Sequence, residues 1–330
     1  MLRTLHHPDG TSRQIHLGGW KKQFSDPRDE EFRVKLHRSF LAAPPKSADL
    51  RPICSPIEDQ GDLGSCTAHM LAGLVEANEN RASKGFQVSG ASALPSVLVS
   101  NIAVASDGTI SFVTSVKSAA PAPTPTPTPP TPPAPPAPTP TPTPTPHKLV
   151  RASRLFEYYA TRKIEGTTRE DSGATIRDAV KAAAQYGVVD ESLWPYNIAQ
   201  FTVNPPQNVW TAAATHKVTS YHSITDGDIE TMKSVIASGY PVGFGFQVYD
   251  YMMSADMASK GFLPLPGPDE QLQGGHAVDL VGYDDSKKAF LVRNSWGTSW
   301  GLQGYFWMVY DYVANTQLAS DFWVVQSAPI

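Results

Sequence analysis

A proline-rich run near the middle of the chain limits most strongly how this sequence can fold. Pro121 to Pro146 alternates proline with threonine and alanine and holds half of the thirty prolines in the 330 residues. Proline lacks the amide hydrogen that helices and sheets require, so the run predicts extended polyproline II, roughly 80 Å long if straight. A semi-rigid spacer is the expected role, with a binding segment for a protein partner as the alternative.

The spacer ends a larger insertion, which we place at residues 87–147. The Ser/Val-rich stretch Val88 to Ser118 contains the turn signal Asp107-Gly108 and predicts a small hairpin. The remaining chain divides into an N-terminal extension, a helical lobe interrupted by the insertion, and a β-rich lobe. Their predicted bounds are 1–48, then 49–86 with 148–198, then 199–330.

Hydrophobic periodicity predicts three helices before the β-rich lobe: Ser65–Ser83, Ser153–Ile164 and Thr175–Tyr186. Ser65 is the expected N-cap of the first helix, and Gly85 its expected end. From about Thr215 the pattern changes to short β-like runs, "YPVGFGFQV", "HAVDLVGY", "AFLVRNSWG", "GYFWMVYDY" and "DFWVVQSA". Helices followed by strands predict an α+β protein with two lobes.

Composition and charge exclude several functional classes. Hydrophobic residues make up 41% of the chain and charged residues 18%, as in ordinary soluble proteins. A net charge of −4 without a basic stripe argues against nucleic-acid binding. No apolar run approaches the ~20 residues of a membrane span. The N-terminus shows no secretory signal, which leaves a cytoplasmic location or export by a non-classical route open.

The stretch "DQGDLGSCTAHM" places Cys66 where a polar loop enters a helix. The unpaired amides of a helix N-terminus favour an anion, and a nearby imidazolium would lower the thiol pKa further, so we expect a thiolate at neutral pH. A lone helix cysteine is more often a small buried hydrophobe. A metal site of Cys54, Cys66 and His69 lacks a second ligand pair and is disfavoured.

Two strands predict a partner for this thiol. A hairpin centred on Asp285 would place His276 opposite Asn294, with Cβ atoms about 5 Å apart. The Asn294 carbonyl would then hold one imidazole nitrogen and leave the other free for proton transfer. Each residue alone would be an ordinary core or strand-end residue. An oxyanion site is also needed, and the Cys66 amide with the Gln60 side chain would supply its donors.

Three segments together resemble the papain-like (papain/cathepsin) cysteine peptidases: "DQGDLGSCTA", "GGHAVDLVGYDD" and "RNSWGTSWGLQGYFWM". The resemblance implies a two-lobe fold in which a helical lobe and a β-barrel-like lobe flank the active-site cleft. It implies Cys66 as nucleophile, His276 as acid and base, Asn294 as its orienting residue and Gln60 as oxyanion donor. It implies no metal and no organic cofactor.

The resemblance also implies three residues near the substrate. Gly173 would line the substrate backbone, and Gly275 immediately precedes the histidine. Trp296 would cover the hydrogen bond between the asparagine and the histidine. The expected activity is that of a cysteine endopeptidase acting on polypeptides through a thioester. An acyltransferase or peptide ligase with the same triad, and an inactive peptide-binding scaffold, remain as alternatives.

Spacing agrees with the resemblance once the insertion is removed. Cys66 and His276 are 210 positions apart, and without residues 87–147 the separation is 149, within the ~130–150 expected of the family. Leu63 and Thr67 stand where the family commonly has cysteine and tryptophan. The usual disulfides are therefore missing, which indicates the compact bacterial or viral branch.

Two features stay open at this stage. The N-terminal extension carries Trp20, Phe24, Phe32 and Phe40 among charges, and is either a prosegment that lies in the cleft or a plain structural extension. Asp279 interrupts an apolar strand, and its carboxylate either faces solvent or tunes the surroundings of His276.

Overall fold

The protein is described from a computed structural model, which describes residues 1–24, 26–29, 31, 44–88, 103–104, 110–111 and 151–327. The helices in these residues are α1 (Cys66–Lys84), α2 (Arg154–Glu165), α3 (Ile176–Gln185), α4 (Gln207–Ala213), α5 (Ile229–Ala237), α6 (Ala255–Lys260) and α7 (Tyr310–Ala314). The strands are β1 (Leu2–His6), β2 (Ser12–His16), β3 (Ser47–Asp49), β4 (Ala103–Val104), β5 (Ile110–Ser111), β6 (Val218–Ile224), β7 (Val242–Tyr249), β8 (Phe262–Leu263), β9 (Leu272–Asp284), β10 (Ala289–Arg293), β11 (Tyr305–Val309) and β12 (Ala319–Ser327).

Contacts divide the chain into two compact units. The larger unit combines Met1–Ala93 with Pro144–Ile330, and the smaller unit is Leu94–Thr143. In the smaller unit β4 and β5 pair antiparallel on either side of Asp107-Gly108, which confirms the predicted hairpin. The proline-rich run and most of the rest of the insertion lie outside the described residues, so the predicted spacer remains a prediction.

The three predicted helices are confirmed as α1, α2 and α3, with ends shifted by one residue. Gly85 ends α1 in the left-handed conformation with φ 59°. Ser153 and Thr175 cap α2 and α3 by accepting backbone hydrogen bonds. The expected cap at Ser65 is wrong, because its hydroxyl makes a 2.6 Å hydrogen bond with the Tyr196 hydroxyl instead.

Seven strands of the second half and β3 build one eight-stranded sheet, which confirms the α+β class. Strands pair in the order β6-β12-β7-β9-β10-β11-β8, and β3 joins along β9. The five predicted β-like runs correspond to β7, β9, β10, β11 and β12, except that residues 310–314 form α7. Helices α4, α5 and α6 were not predicted; two of the three have only six or seven residues, too few for a clear apolar periodicity.

Helix α1 connects the two lobes by packing against both of them. It packs against α2 and α3 on one side and against β9 and β12 of the sheet on the other. Its first thirteen residues are all buried, as expected of a helix enclosed by protein on every face. The position of the start of α1 relative to β9 is therefore fixed by this packing.

A glycine brings α1 close to β9. A Cβ atom on Gly73 would overlap the Asp279 carboxylate and lie 2.8 Å from Arg293 Nη1. Asp279 is buried, with its carboxylate 3.8 Å from Arg293 Nη1. The interpretation that Asp279 faces solvent is therefore wrong: β9 is covered on this face by α1, and the neighbouring strand supplies the arginine.

Further buried charges extend this contact to the start of α2. The Glu76 carboxylate on α1 lies 2.9 Å from Arg154 and accepts the Ala152 amide at 2.7 Å. Ser55 contacts Glu76 and accepts a 3.2 Å hydrogen bond from Arg293. Because unpaired buried charges are costly, this network ties the helices to the sheet at a defined position.

The N-terminal extension begins with a hairpin that belongs to the core. Strands β1 and β2 pair antiparallel, and Leu5, Ile15 and Leu17 are fully buried in the same apolar cluster as the sheet. The hairpin is held further by Arg13, which donates to Trp296 O at 2.7 Å. Burial of three aliphatic side chains favours this position by several kcal/mol, at about 1.5–3 kcal/mol each.

The packing at Gly73 gives a stability prediction. Gly73→Ala should destabilise the protein by about 1–3 kcal/mol, because overpacking against the buried pair outweighs the ~1 kcal/mol that alanine gains in a helix. Urea unfolding followed by circular dichroism measures the change. Ser83→Ala, at an exposed position of the same helix, is the matched control and should stay within about 0.5 kcal/mol. A Gly73→Ala protein as stable as the wild type would contradict the close approach.

Candidate active site

Cys66 lies at the first residue of α1 and is fully buried. Because the Ser65 hydroxyl bonds to Tyr196, it does not cap the helix, and the amides of Cys66 and Thr67 remain directed at the thiol. The amide of Ala277 on β9 acts on the same sulfur. The thiol therefore lies against the residue that directly follows His276.

His276 and Asn294 are in direct contact. His276 Nε2 and Asn294 Oδ1 are 2.8 Å apart, and both residues are buried. The Trp296 indole stacks on the imidazole with ring centroids 4.8 Å apart and so covers this hydrogen bond. Within the described part of the chain, His276 Nδ1 has no hydrogen-bond partner. This arrangement fixes the tautomer with the proton on Nε2 and leaves Nδ1 as the basic nitrogen.

The contact arises differently from the predicted hairpin register. Ala289 pairs with Asp284, so the turn is centred between residues 286 and 287 and not on Asp285. A bulge between Leu291 and Val292 moves the pairing by only one residue, and β10 ends with Arg293 opposite Asp279. His276 instead pairs with Phe246 of β7. The predicted register was therefore wrong, while the predicted proximity of His276 and Asn294 is confirmed through their side chains.

Gln60 is held by three hydrogen bonds. Its Nε2 donates to Leu63 O at 3.1 Å and to His16 O at 3.4 Å, and its Oε1 accepts the Ser295 hydroxyl at 2.8 Å. Ser295 directly follows Asn294, so the same short loop carries Asn294 and holds the Gln60 side chain. The sequence reasoning missed Ser295; its place inside the Asn-Ser-Trp-Gly motif was the available signal.

Residues 18–21 of the N-terminal extension lie in the cleft. Gly18 N donates to Gly275 O at 2.8 Å, Ala174 N donates to Gly19 O at 2.8 Å, and Lys21 N donates to Ala174 O at 2.9 Å. Gly173 has φ 66°, and a Cβ there would meet the Gly19 carbonyl at 2.6 Å. Gly173 and Gly275, the two glycines that the resemblance places near the substrate, thus both lie against this segment.

Gly19 covers the thiol itself. A Cβ on residue 19 would lie 2.8 Å from Cys66 Sγ and 2.7 Å from Gly64 O, so only glycine fits there without displacement. The Gly19 carbonyl is bonded to Ala174, and Gln60 Nε2 is bonded to other carbonyls. The peptide nearest the sulfur therefore does not direct its oxygen at the predicted oxyanion donors.

Burial disfavours the charged forms of both Cys66 and His276 in this conformation. Burial raises the pKa of Cys66 to about 12, although the amides around it act in the opposite direction. Burial lowers the pKa of His276 to about 4, although the Asn294 hydrogen bond favours the protonated form. A thiol and a neutral imidazole are thus favoured at neutral pH while the segment covers them, and the expected thiolate is not.

The described residues bear on the metal, disulfide and membrane predictions. No group of histidine, cysteine or acidic side chains among them is arranged to hold a metal ion, and His69 instead packs edge-on against Tyr196. Both cysteines are free thiols. No helix in the same residues is long and apolar enough to cross a membrane.

Comparisons with known proteins agree with the geometry. The sequence profile described as "Papain family cysteine protease" matches residues 165–325. An uncharacterised peptidase C1-like protein of Acanthamoeba polyphaga mimivirus is 45% identical over 181 residues, 53% of this chain and 58% of that relative. The chain thus spans less than two thirds of that relative's length.

Solved structures match over nearly the whole chain. Xylellain, a cysteine protease from Xylella fastidiosa, aligns with a TM-score of 0.68 and 30% identity over 96% of this chain and 99% of that chain. Digestive procathepsin L2 proteinase from Tenebrio molitor larval midgut shares the fold, with a TM-score of 0.59 and 18% identity over 94% of this chain and 78% of that chain. The viral and bacterial relatives agree with the branch that the missing disulfides indicate. The chain belongs to the papain family of cysteine proteases.

Proposed function

We propose that the protein is a cysteine endopeptidase that hydrolyses polypeptides with Cys66 as nucleophile. The single observation that carries this proposal is the covered hydrogen bond between His276 and Asn294, next to a thiol at a helix N-terminus. It leaves one imidazole nitrogen free to exchange a proton with the sulfur.

The proposed reaction follows from these positions. His276 Nδ1 takes the Cys66 proton as the sulfur attacks the peptide carbonyl carbon, and the oxyanion accepts hydrogen bonds from Gln60 Nε2 and the Cys66 amide. His276 protonates the leaving amine as the carbon–nitrogen bond breaks, which yields a thioester. Water, deprotonated by the same imidazole, then hydrolyses the thioester and releases the acid and the free thiol. Asn294 orients the imidazole throughout.

We further propose that residues 17–24 keep the enzyme latent. They cover the sulfur, bond to the backbone of Ala174 and Gly275, and occupy the Gln60 donor through the preceding His16 carbonyl. Ion pairs fix the segment and the residues after it to the helical lobe: Lys21 Nζ lies 2.7 Å from Glu165, and Asp29, five residues beyond the segment, pairs with Arg177 at 2.5 Å. Release would let water and substrate reach the thiol.

Replacing the triad residues tests the reaction. In the full chain carrying Trp20→Ala, which should release the latent state, Cys66→Ala and His276→Ala should each lower kcat/KM by at least about a thousandfold with the fold retained, and Asn294→Ala should leave a weakened enzyme, because it removes orientation only. Hydrolysis of peptides by mass spectrometry and unfolding by circular dichroism give the two readouts. Cys54→Ala, which removes the other free thiol, should keep its activity. Undiminished turnover by Cys66→Ala would end the proposal.

Replacing Trp20 tests latency. Its side chain is 5% exposed, and truncating a buried tryptophan costs about 3–5 kcal/mol. Trp20→Ala should therefore raise the rate at which an alkylating reagent modifies Cys66 at pH 7.5 by at least about tenfold, with a parallel rise in peptide hydrolysis. Since burial holds the Cys66 pKa near 12, the midpoint of the alkylation rate against pH should also move to lower pH on release.

Phe24→Ala is the matched control for that variant. Phe24 is an aromatic residue of the same segment and is 93% exposed, so its truncation should leave both rates unchanged. Mass spectrometry of the Cys66 peptide measures alkylation. Equal rates for the wild type and Trp20→Ala would mean that the segment does not protect the thiol.

A further inference from the structure

The side chain of Trp20 fills a slot beside the thiol, which we call the Trp20 slot and define by Gly245, Gly275, Ala277 and Asp321. A Cβ on Gly245 would overlap the indole, and a Cβ on Gly275 would lie 2.8 Å from its Cε3. Trp20 shares one buried cluster with Cys66 and Ala277. At the end of the slot, Trp20 Nε1 donates to Asp321 Oδ2 at 2.9 Å. The slot is thus flat-sided, apolar along its length and acidic at its end.

The position of Asp321 depends on an irregular backbone. Pairing between β12 and β7 is interrupted between Ser320 and Trp323, and Asp321 has φ 62°. Its amide donates to Asp226 Oδ1 at 3.0 Å. A residue other than glycine rarely adopts this conformation, and such strain is concentrated at functional sites. Trp323 and Val325 of β12 lie in the same buried cluster as Trp20, so Asp321 continues that face of the strand to the end of the slot.

Groups of the N-terminal segment form the hydrogen bonds to Asp321 at the acidic end of the slot. Trp20 Nε1 and Gln23 N both donate to Asp321 Oδ2, at 2.9 and 3.2 Å. The charge of Lys22 lowers the pKa of both Asp321 and Asp226, although burial outweighs it in each case and raises the pKa of Asp321 to about 6. When the segment leaves, all three groups leave with it, and the Asp321 carboxyl, which is 9% exposed in the structure, loses both of its donors.

We propose that the vacated Trp20 slot selects polypeptide substrates that place an arginine side chain in it. The aliphatic stem of arginine fits between the two glycine faces, and its planar guanidinium can donate two hydrogen bonds to Asp321. A leucine would leave a buried carboxylate unpaired, and a tryptophan supplies one donor but no charge. The inference rests on the proposed function for its catalytic consequence, and not for the binding preference of the slot.

Residue 20 itself serves as a probe that needs no turnover. In the full chain carrying Cys66→Ala, the melting temperature of Trp20→Arg should exceed that of Trp20→Leu by at least about 2–4 °C, and adding Asp321→Asn should remove this difference. Phe24→Arg and Phe24→Leu, at the exposed position of the same segment, should show no such dependence on Asp321. An Arg–Leu difference at position 20 that is absent, or that Asp321→Asn leaves unchanged, overturns the inference.

Substrate profiling tests the catalytic consequence. The full chain carrying Trp20→Ala is incubated with a proteome-derived peptide library, and the cleaved bonds are identified by mass spectrometry. Arginine should be enriched at least about tenfold at one fixed position relative to the cleaved bond, and Asp321→Asn should abolish that enrichment. Adding Cys66→Ala should abolish cleavage altogether.

The outcomes separate the two proposals. Cleavage that depends on Cys66 without an arginine preference, or with a preference that survives Asp321→Asn, overturns the slot inference and leaves the endopeptidase proposal intact. No cleavage that depends on Cys66 overturns the endopeptidase proposal and with it any catalytic role of the slot. The melting temperatures still decide in that case whether the slot prefers arginine.

Discussion

The close approach of α1 to β9 at Gly73 is the contact on which the remaining structure depends. One element carries Cys66 and the other carries His276, so their separation is set by how near the helix lies to the strand. The missing side chain at Gly73 makes room for the Asp279 carboxylate and Arg293 below it. Glu76 and Arg154 continue this buried network into α2. Because each buried charge requires its partner, sliding of the helix along the strand would be costly.

Local sequence patterns predicted α1, α2 and α3, the α+β class and the residues brought together around the thiol. Those features depend on periodicity and on short motifs, which a sequence displays directly. The register between β9 and β10 was predicted wrongly because the turn was centred on Asp285, whereas Ala289 pairs with Asp284 and the turn spans residues 285–288. Asp279 was misjudged because its partner Arg293 and its cover Gly73 come from other elements. The bond from Trp20 to Asp321 was not predicted, since the two residues are 301 positions apart.

Burial and electrostatics act in opposite directions at the thiol. The helix amides and the amide of Ala277 favour a thiolate, while burial, to which the N-terminal segment contributes at Gly19, favours the neutral thiol and is the larger effect here. Under the proposed function, the segment would therefore suppress ionisation of the Cys66 thiol as well as block the entry of substrate. Its removal would restore water around both Cys66 and His276, and the helix amides would then favour the charged pair.

The long sequence separation between Trp20 and Asp321 also orders events during synthesis. A ribosome completes residue 20 about three hundred residues before it adds the carboxylate that anchors the indole, and β12 is the last strand of the sheet. Synthesis from the N-terminus proceeds at about 5–20 residues per second, so at least fifteen seconds or so pass between the two. Until β12 pairs, the nascent chain lacks both the complete sheet and the carboxylate that binds Trp20. The sheet is therefore completed in the same step in which the N-terminal segment can bind over the thiol.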